Sequence, residues 1–272
     1  MKKTIRIKNI EAPSLSAYRS MNARELEDQG FFVAETERVV QKLLDSKLKT
    51  ESCLMTENCY ERMKPYLSGK DFPVYVGTKK ELGKITGFKF YQGALALARH
   101  PEKLGIRDVI GRSKKDIFMI AFNSVTDPQN VGLILRSASA FGCTAVIADR
   151  RTCDPYYRKA ARISIGTVFN MPVAYEDDLV EVLKYLRKEK KTKVIVTTPA
   201  KTGRSIEEVS LTGNVCIVMG NEEEGAERPV MDEADLKIRI PMQQEVIDSL
   251  NVACAGTIAL YKVFLARKGQ MK

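Results

Sequence analysis

The sequence predicts an α/β protein whose larger part is built on a mostly parallel sheet. Strand-length apolar runs alternate with amphipathic helical stretches along most of the 272 residues, the pattern of a layered α/β chain. One run, residues 117–122 (IFMIAF), is continuously apolar, as a parallel strand covered on both faces must be. The alternation is broken once, at residues 101–115, where Pro101, Gly105 and Gly111 fall in a polar stretch that reads as a linker between two parts.

In the first part, residues 22–30 read as a short helix closed by Gly30. Residues 31–34 (FFVA) are a strand, and residues 36–45 place Val39, Val40, Leu43 and Leu44 on one helical face. A strand at 52–55 precedes a helix at 58–66, and a strand at 73–76 precedes a helix at 78–85. Residues 92–98 (QGALALA) are a fourth strand.

The second part opens with the strand at 117–122. A helix follows over 130–141, closed by Gly142, with Asn130 placed to cap it, and strands follow at 144–148 and 171–174. Residues 177–190 are a helix with Leu179, Val180, Val182, Leu183 and Leu186 apolar. Strands at 193–198, 214–219 and 236–240 precede a terminal helix over 249–267. Ligand sites in such a fold are expected at the carboxyl ends of the strands.

Composition removes several chemistries. A single histidine, His100, excludes an H-E-x-x-H motif or a histidine-rich metal site. It precedes Pro101 and reads as an exposed linker residue. Six cysteines are scattered without a C-x-x-C pair, so no disulfide framework or metal cluster is expected. No apolar run approaches the roughly 20 residues of a membrane span, and residues 1–10 lack the apolar region of a secretory signal. The expectation is a reducing, cytoplasmic location. Of the net charge of +10, residues 1–115 carry +9 (23 Lys+Arg against 14 Asp+Glu). Such a segment is the footprint of a polyanion partner. Phe72, Tyr75, Phe88, Phe90 and Tyr91 lie nearby, and their alternation fits core packing better than base stacking.

Three segments do not read as scaffold. The first runs from Asn123 through Asp127, Pro128, Asn130 and Gly132 to Arg136, leaving a buried strand through a turn that Pro128 fixes. An arginine among Leu133, Ile134, Leu135 and Ala138 needs a partner or must snorkel. The second is Gly220-Asn221-Glu222-Glu223-Glu224-Gly225. Its spacing is that of a P-loop, but Ala226-Glu227 stands where Lys-Ser/Thr is required, and three carboxylates repel a triphosphate. No G-x-G-x-x-G occurs, which removes the dinucleotide fingerprint. The third is Ile240-Pro241-Met242 followed by Ser249-Leu250-Asn251-Val252, where Ser249 and Asn251 either cap a helix or hold a polar ligand.

Together these segments resemble the SpoU (TrmH-like) branch of the SPOUT RNA methyltransferases. The family pattern N-x(3)-D-P-x-N-x-G-x(3)-R is met by Asn123, Asp127, Pro128, Asn130, Gly132 and Arg136, and G-N-E-x-x-G by Gly220, Asn221, Glu222 and Gly225. The third motif, I-P-M then S-L-N-V, is met by Ile240 to Met242 and Ser249 to Val252. The basic first part is similar to the L30e-like substrate-binding domain of many members, through residues 32–35, Gln92-Gly93 and Leu95-Ala96. The domains expected are therefore 1–104 (L30e-like, RNA-binding), a linker at 105–115, and 116–272 (methyltransferase).

The resemblance implies a trefoil knot, a homodimer through the C-terminal domain, S-adenosylmethionine as methyl donor, no metal, and 2′-O-methylation of a ribose in rRNA or tRNA. It places the donor against Gly220, Gly225, Ile240, Ser249 and Leu250, with the Thr198-Pro199-Ala200 loop beside them. The catalytic and substrate positions it implies are Asn130, Arg136, Glu222, Ser249 and Asn251. Guanidinium groups stay protonated, so Arg136 is either an unusual base assisted by a substrate phosphate or a stabiliser of the developing alkoxide. Glu222 would orient Arg136 or the ribose. Glu223 replaces the glycine frequent after the motif glutamate, which adds negative charge near a sulfonium. A knotted RNA-binding protein without transfer, and a base-methylating enzyme, are the competing readings.

Overall fold

The computed structural model describes residues 4–20, 23–91, 93–111, 116–243 and 245–270. In chain order the first elements are β1 (Thr4–Arg6), α1 (Ser16–Ser20), α2 (Ala23–Asp28), β2 (Phe31–Glu35), α3 (Glu37–Leu44), β3 (Thr50–Thr56), α4 (Glu57–Leu67), β4 (Val74–Gly77), α5 (Lys79–Thr86) and β5 (Ala94–Arg99). There follow α6 (Ile106–Gly111), β6 (Phe118–Phe122), α7 (Pro128–Ala140), β7 (Ala145–Asp149), α8 (Arg158–Ile163), β8 (Val173–Glu176), α9 (Leu179–Lys190) and β9 (Lys193–Thr197). The last are β10 (Arg204–Ser205), β11 (Val215–Met219), α10 (Arg228–Asp232), β12 (Leu236–Arg239) and α11 (Val252–Gln270). Among the described residues no helix is long and apolar enough to cross a membrane.

The chain gathers into two units, Met1–Glu102 with Tyr156–Asn170, and Lys103–Pro155 with Met171–Lys272. In the first, the sheet order is β1-β4-β3-β5-β2. β1, β4 and β3 pair in parallel, and β5 runs antiparallel to both β3 and β2. Each strand-to-helix turn is fixed the same way: Thr36, Thr56 and Thr78 accept from the backbone N–H of Val39, Cys59 and Glu81 and cap α3, α4 and α5. Leu54, Leu82, Leu95 and Tyr18 are fully buried between sheet and helices. The Tyr18 hydroxyl is satisfied by Ser52 Oγ at 2.7 Å and by the Leu97 N–H at 3.3 Å, as a buried phenol requires. Tyr75 and Phe90 are buried and belong to this core, whereas Tyr91 is exposed. Of the residues quoted for the L30e resemblance, Gln92 lies outside the described residues, as does Asn22 of the expected first helix.

The stretch 156–170 packs within this same unit. Its rings Tyr156 and Phe169 lie 5.3 and 5.5 Å from Phe32. His100, expected as an exposed linker residue, is half-buried and meets Tyr156 edge-on at 4.8 Å. Glu35, buried at the end of β2, is paired with Arg162 Nη1 at 3.2 Å and Arg158 Nε at 3.8 Å. The arginines of α8 thus answer a carboxylate that apolar patterning of residues 31–34 does not announce.

In the second unit the sheet order is β10-β12-β9-β11-β6-β7-β8. Every pairing is parallel. β6, β7 and β11 are buried along their whole length, as the continuous apolar runs require. Of the stretch read as a linker, residues 106–111 instead form α6, with Ile106 and Val109 in the core beside Ala174 and Leu179, while residues 112–115 lie outside the described residues. Gly105 precedes and Gly111 ends an element too short to show a helical period. Because the strands are parallel, the loops after β6, β7, β9, β11 and β12 all open at one edge of the sheet, and the chemistry-bearing segments collect there.

Candidate functional site

Gly220 directly follows β11, and its surroundings leave no room for a side chain. A Cβ there would stand 2.0 Å from the Ala226 backbone nitrogen and 2.2 Å from the Gly225 carbonyl carbon. The chain closes on itself directly after: Asn221 N–H donates to Gly225 O at 2.9 Å and Gly225 N–H returns to Asn221 O at 3.0 Å. Gly225 completes the turn at φ 74°, which suits glycine. Asn221 Oδ1 accepts from the N–H groups of Glu223 and Glu224 at 2.9 and 3.2 Å, so the acidic loop is held by its own asparagine. Glu223 is exposed and its backbone is not left-handed, so a side chain fits where the family often has glycine.

Behind this loop lies a cleft of about 300 Å³. Thr198, Pro199, Gly220, Gly225, Ile240, Ser249 and Leu250 line it, with Glu222, Glu223 and Glu224 at one side. Met219, Ile238 and Met242 add apolar wall. Ala200 is not among the lining residues; its N–H donates to Thr198 Oγ1 at 3.2 Å and shapes the loop from behind.

The carboxylate of Glu222 turns towards the first motif. It accepts from the backbone N–H of Asp127 at 3.1 Å and of Thr126 at 3.3 Å, and from Asn130 Nδ2 at 3.0 Å. Burial works to raise this carboxyl, but the Asn130 amide and the backbone donors outweigh it and hold the group below the usual carboxylate range. Asn130 is not the cap of α7. Asp127 takes that place, accepting from Gln129 N–H with Pro128 at the first helical position. Asn130 is buried one turn in, and its Oδ1 accepts from Asn251 Nδ2 at 3.0 Å. Asn251 Oδ1 in turn accepts from Ala253 and Cys254 N–H. Asn251 therefore caps α11, which begins at Val252 rather than at residue 249, and one polar chain links Glu222, Asn130 and Asn251 across all three motifs. Ser249 is exposed at the cleft.

Arg136 stands apart. It lies six residues beyond Asn130, about 240° round a helix, and is exposed with no hydrogen bond or ion pair among the described residues. The face of α7 that carries Asn130 packs on α11, where Ser137 Oγ meets Thr257 Oγ1 at 2.8 Å. Arg136 shares the open face of α7 with Leu133, and Ile258, Tyr261 and Leu265 of α11 are exposed as well.

Sequence reading missed one part of the site. Asp149, buried at the end of β7, accepts from Asn123 Nδ2 at 3.1 Å and Ser124 N–H at 2.9 Å. Glu227 N–H donates to Asn123 Oδ1 at 2.8 Å, and Arg151 pairs with the Glu227 carboxylate. Arg151 foremost, with Asn123, lowers the Glu227 carboxyl from its ordinary value. The available signal was an acid at the carboxyl end of a buried parallel strand.

Comparison with known proteins gives the family and the fold. The pattern of the SpoU rRNA Methylase family matches residues 117–261. An uncharacterized tRNA/rRNA methyltransferase of Mycobacterium bovis is 28% identical over 92% of this chain and 88% of its own. The 23S rRNA (guanosine-2′-O-)-methyltransferase RlmB of Coxiella burnetii is 31% identical over 68% of this chain and 74% of its own. The crystal structure of an AdoMet-bound rRNA methyltransferase from Sinorhizobium meliloti shares the fold at a TM-score of 0.80, with 22% identity and 98% of each chain covered.

Proposed function

The chain belongs to the SpoU rRNA Methylase family, and on that premise we propose that it transfers a methyl group from S-adenosylmethionine to a ribose 2′-hydroxyl of rRNA or tRNA. The observation that carries the reading is the polar chain Glu222–Asn130–Asn251 beside the cleft lined by Gly220, Ile240 and Leu250. The donor set fits the cosubstrate. Gly220 leaves backbone where a side chain would intrude, Ile240, Met242 and Leu250 offer apolar wall to an adenine, and Glu223 and Glu224 bring negative charge towards a sulfonium. The bound cosubstrate supplies a methyl carbon already activated for in-line displacement.

The protein's own residues then position and stabilise. Glu222, held in its ionised form, fixes Asn130 and the start of α7. Asn130 and Asn251 hold the geometry against which a ribose is aligned. Ser249 presents a hydroxyl at the cleft. A protonated Arg136 stabilises the charge that develops on the 2′-oxygen. Since Arg136 faces away from the polar chain of its own subunit, it serves the cleft of a second copy. The apolar stripe Leu133, Ile258, Tyr261 and Leu265 supports a homodimer through α7 and α11. The family's trefoil knot belongs to the same reading. It is supported by Thr198 N–H donating to Ile238 O at 2.9 Å and Arg239 Nε to Gly203 O at 3.1 Å, which tie the loop after β9 to strand β12. The basic first unit is the RNA-binding part, and an RNA substrate of this kind places the protein in the cytoplasm.

The test is transfer of label from S-adenosylmethionine to total RNA of a strain lacking the gene, with the nucleosides identified by mass spectrometry. A labelled 2′-O-methyl nucleoside is expected. A labelled base, or donor binding without transfer to any RNA, would overturn the assignment. In the same assay Arg136→Ala abolishes transfer while calorimetric donor affinity is kept; equal loss of both would make the arginine structural.

A further inference from the structure

The loop after β6 passes through a backbone conformation that L-residues avoid. Ser124 has φ 61°, where a side chain crowds its own carbonyl. Asp149 is the group that accepts the hydrogen bonds of this turn. Its Oδ2 accepts from Ser124 N–H at 2.9 Å, Ser124 Oγ at 3.3 Å and Asn123 Nδ2 at 3.1 Å. Its Oδ1 accepts from Thr152 N–H at 2.9 Å, Thr152 Oγ1 at 2.8 Å and Arg151 N–H at 3.2 Å. Thus Asp149 binds the turn after β6 to the turn after β7, and Cys153 N–H adds a bond to Val125 O at 2.9 Å.

The acidic loop hangs from that turn. Asn221 Nδ2 donates to Ser124 O at 2.8 Å, and Glu227 N–H donates to Asn123 Oδ1 at 2.8 Å. Both ends of the loop that carries Glu222 are therefore anchored on residues 123 and 124. Asp149 itself is 7% exposed and is not among the residues lining the cleft.

We propose that Asp149 is a positioning residue for methyl transfer: it holds Ser124 in the left-handed conformation and so sets where Asn221 and Glu222 stand at the cleft. The assignment rests on the reading that this cleft transfers a methyl group. Every partner of Asp149 named above donates a hydrogen, so the position calls for a group that only accepts, an ionised carboxylate. Asparagine has the same shape but turns an N–H₂ towards donors. Glycine at 124 adopts the left-handed conformation without a Cβ penalty, and so removes the need for the clamp.

The experiment compares Asp149→Asn, Ser124→Gly and the double variant in the full chain. It reads single-turnover transfer at saturating S-adenosylmethionine and RNA, KM for RNA, and hydrogen exchange by mass spectrometry. Asp149→Asn is expected to lower the rate by about 10- to 100-fold, the scale of a small misplacement of reacting groups, with KM for RNA little changed. Exchange at 123–127 and 221–225 should quicken. The double variant should return to within about threefold of Ser124→Gly, the recovery expected when glycine relieves the strained backbone. An unchanged rate in Asp149→Asn, or a double variant no better than Asp149→Asn, overturns the proposal. If Asp149→Asn does not fold, a folded double variant supports the clamp and an unfolded one overturns it. If the wild type transfers nothing, the reading of the cleft falls, and the clamp stands or falls on exchange alone: faster in Asp149→Asn and reversed by glycine, or unchanged.

Discussion

A carboxylate that accepts from a carboxamide and two backbone N–H groups is a poor proton acceptor and a good anchor, and Glu222 is such a group. Its consequence for pH follows from the direction of its shift. The folded carboxyl lies below the ordinary value, so the stability it contributes is present above the unfolded pKa of about 4.3 and is lost as pH falls through the folded one. Urea unfolding of wild type and Glu222→Gln should therefore differ at neutral pH and converge in acid, with the wild type losing the advantage. A gap that persists at low pH would show that shape, not charge, is what glutamate provides. The motif residues were legible in the sequence because the three spaced motifs resemble a known family, and that resemblance implies Asn130, Glu222 and Asn251. Their bonds to one another were not, since three segments about 90 and 120 residues apart carry no local sign of who meets whom. Asp149 was invisible for the same reason: its partners are backbone N–H groups, which every sequence has, and the side chains of Asn123, Ser124 and Thr152, which form no recognisable pattern with it along the chain.

At the scale of elements, two surfaces make opposite demands. The stripe on α7 and α11 leaves Tyr261 48% and Leu265 45% exposed, apolar area that a second copy would cover. Tyr261→Glu is expected to shift a dimer to monomer in light scattering and to lower transfer at least tenfold, with each subunit still folded; a monomeric wild type would refute the dimer reading. In the first unit, the side chain of Glu35 is 3% exposed and answered by Arg158 and Arg162. Glu35→Ala should cost about 1–3 kcal/mol, the range for losing hydrogen bonds to charged groups, and should quicken hydrogen exchange in residues 156–170. Unchanged exchange there would mean that the aromatic contacts of Tyr156 and Phe169 hold the segment alone. The long alternating elements were readable from apolar period. β1, α6, α8 and β10 were not, because two to six residues do not establish a period, and α8 is specified by a carboxylate far away in the chain.

For the whole molecule the governing quantity is charge. With +9 of the net +10 in residues 1–115, RNA affinity should fall on the order of 10²-fold between 50 and 200 mM salt, while donor affinity changes little. Filter binding and calorimetry across that range would show it, and a flat RNA response would remove the electrostatic role of the first unit. The sheet order adds a consequence in time. Strand β6 ends at Phe122, yet its neighbour β11 starts only at Val215, and the wall supplied by Ser249 and Leu250 comes later still. Pairings so distant in sequence close late. A chain emerging from the ribosome thus carries nearly all of its positive charge long before the middle of its larger sheet is filled. Synthesis halted before Val215 yields a polycation that can hold RNA and has no cleft with which to act on it.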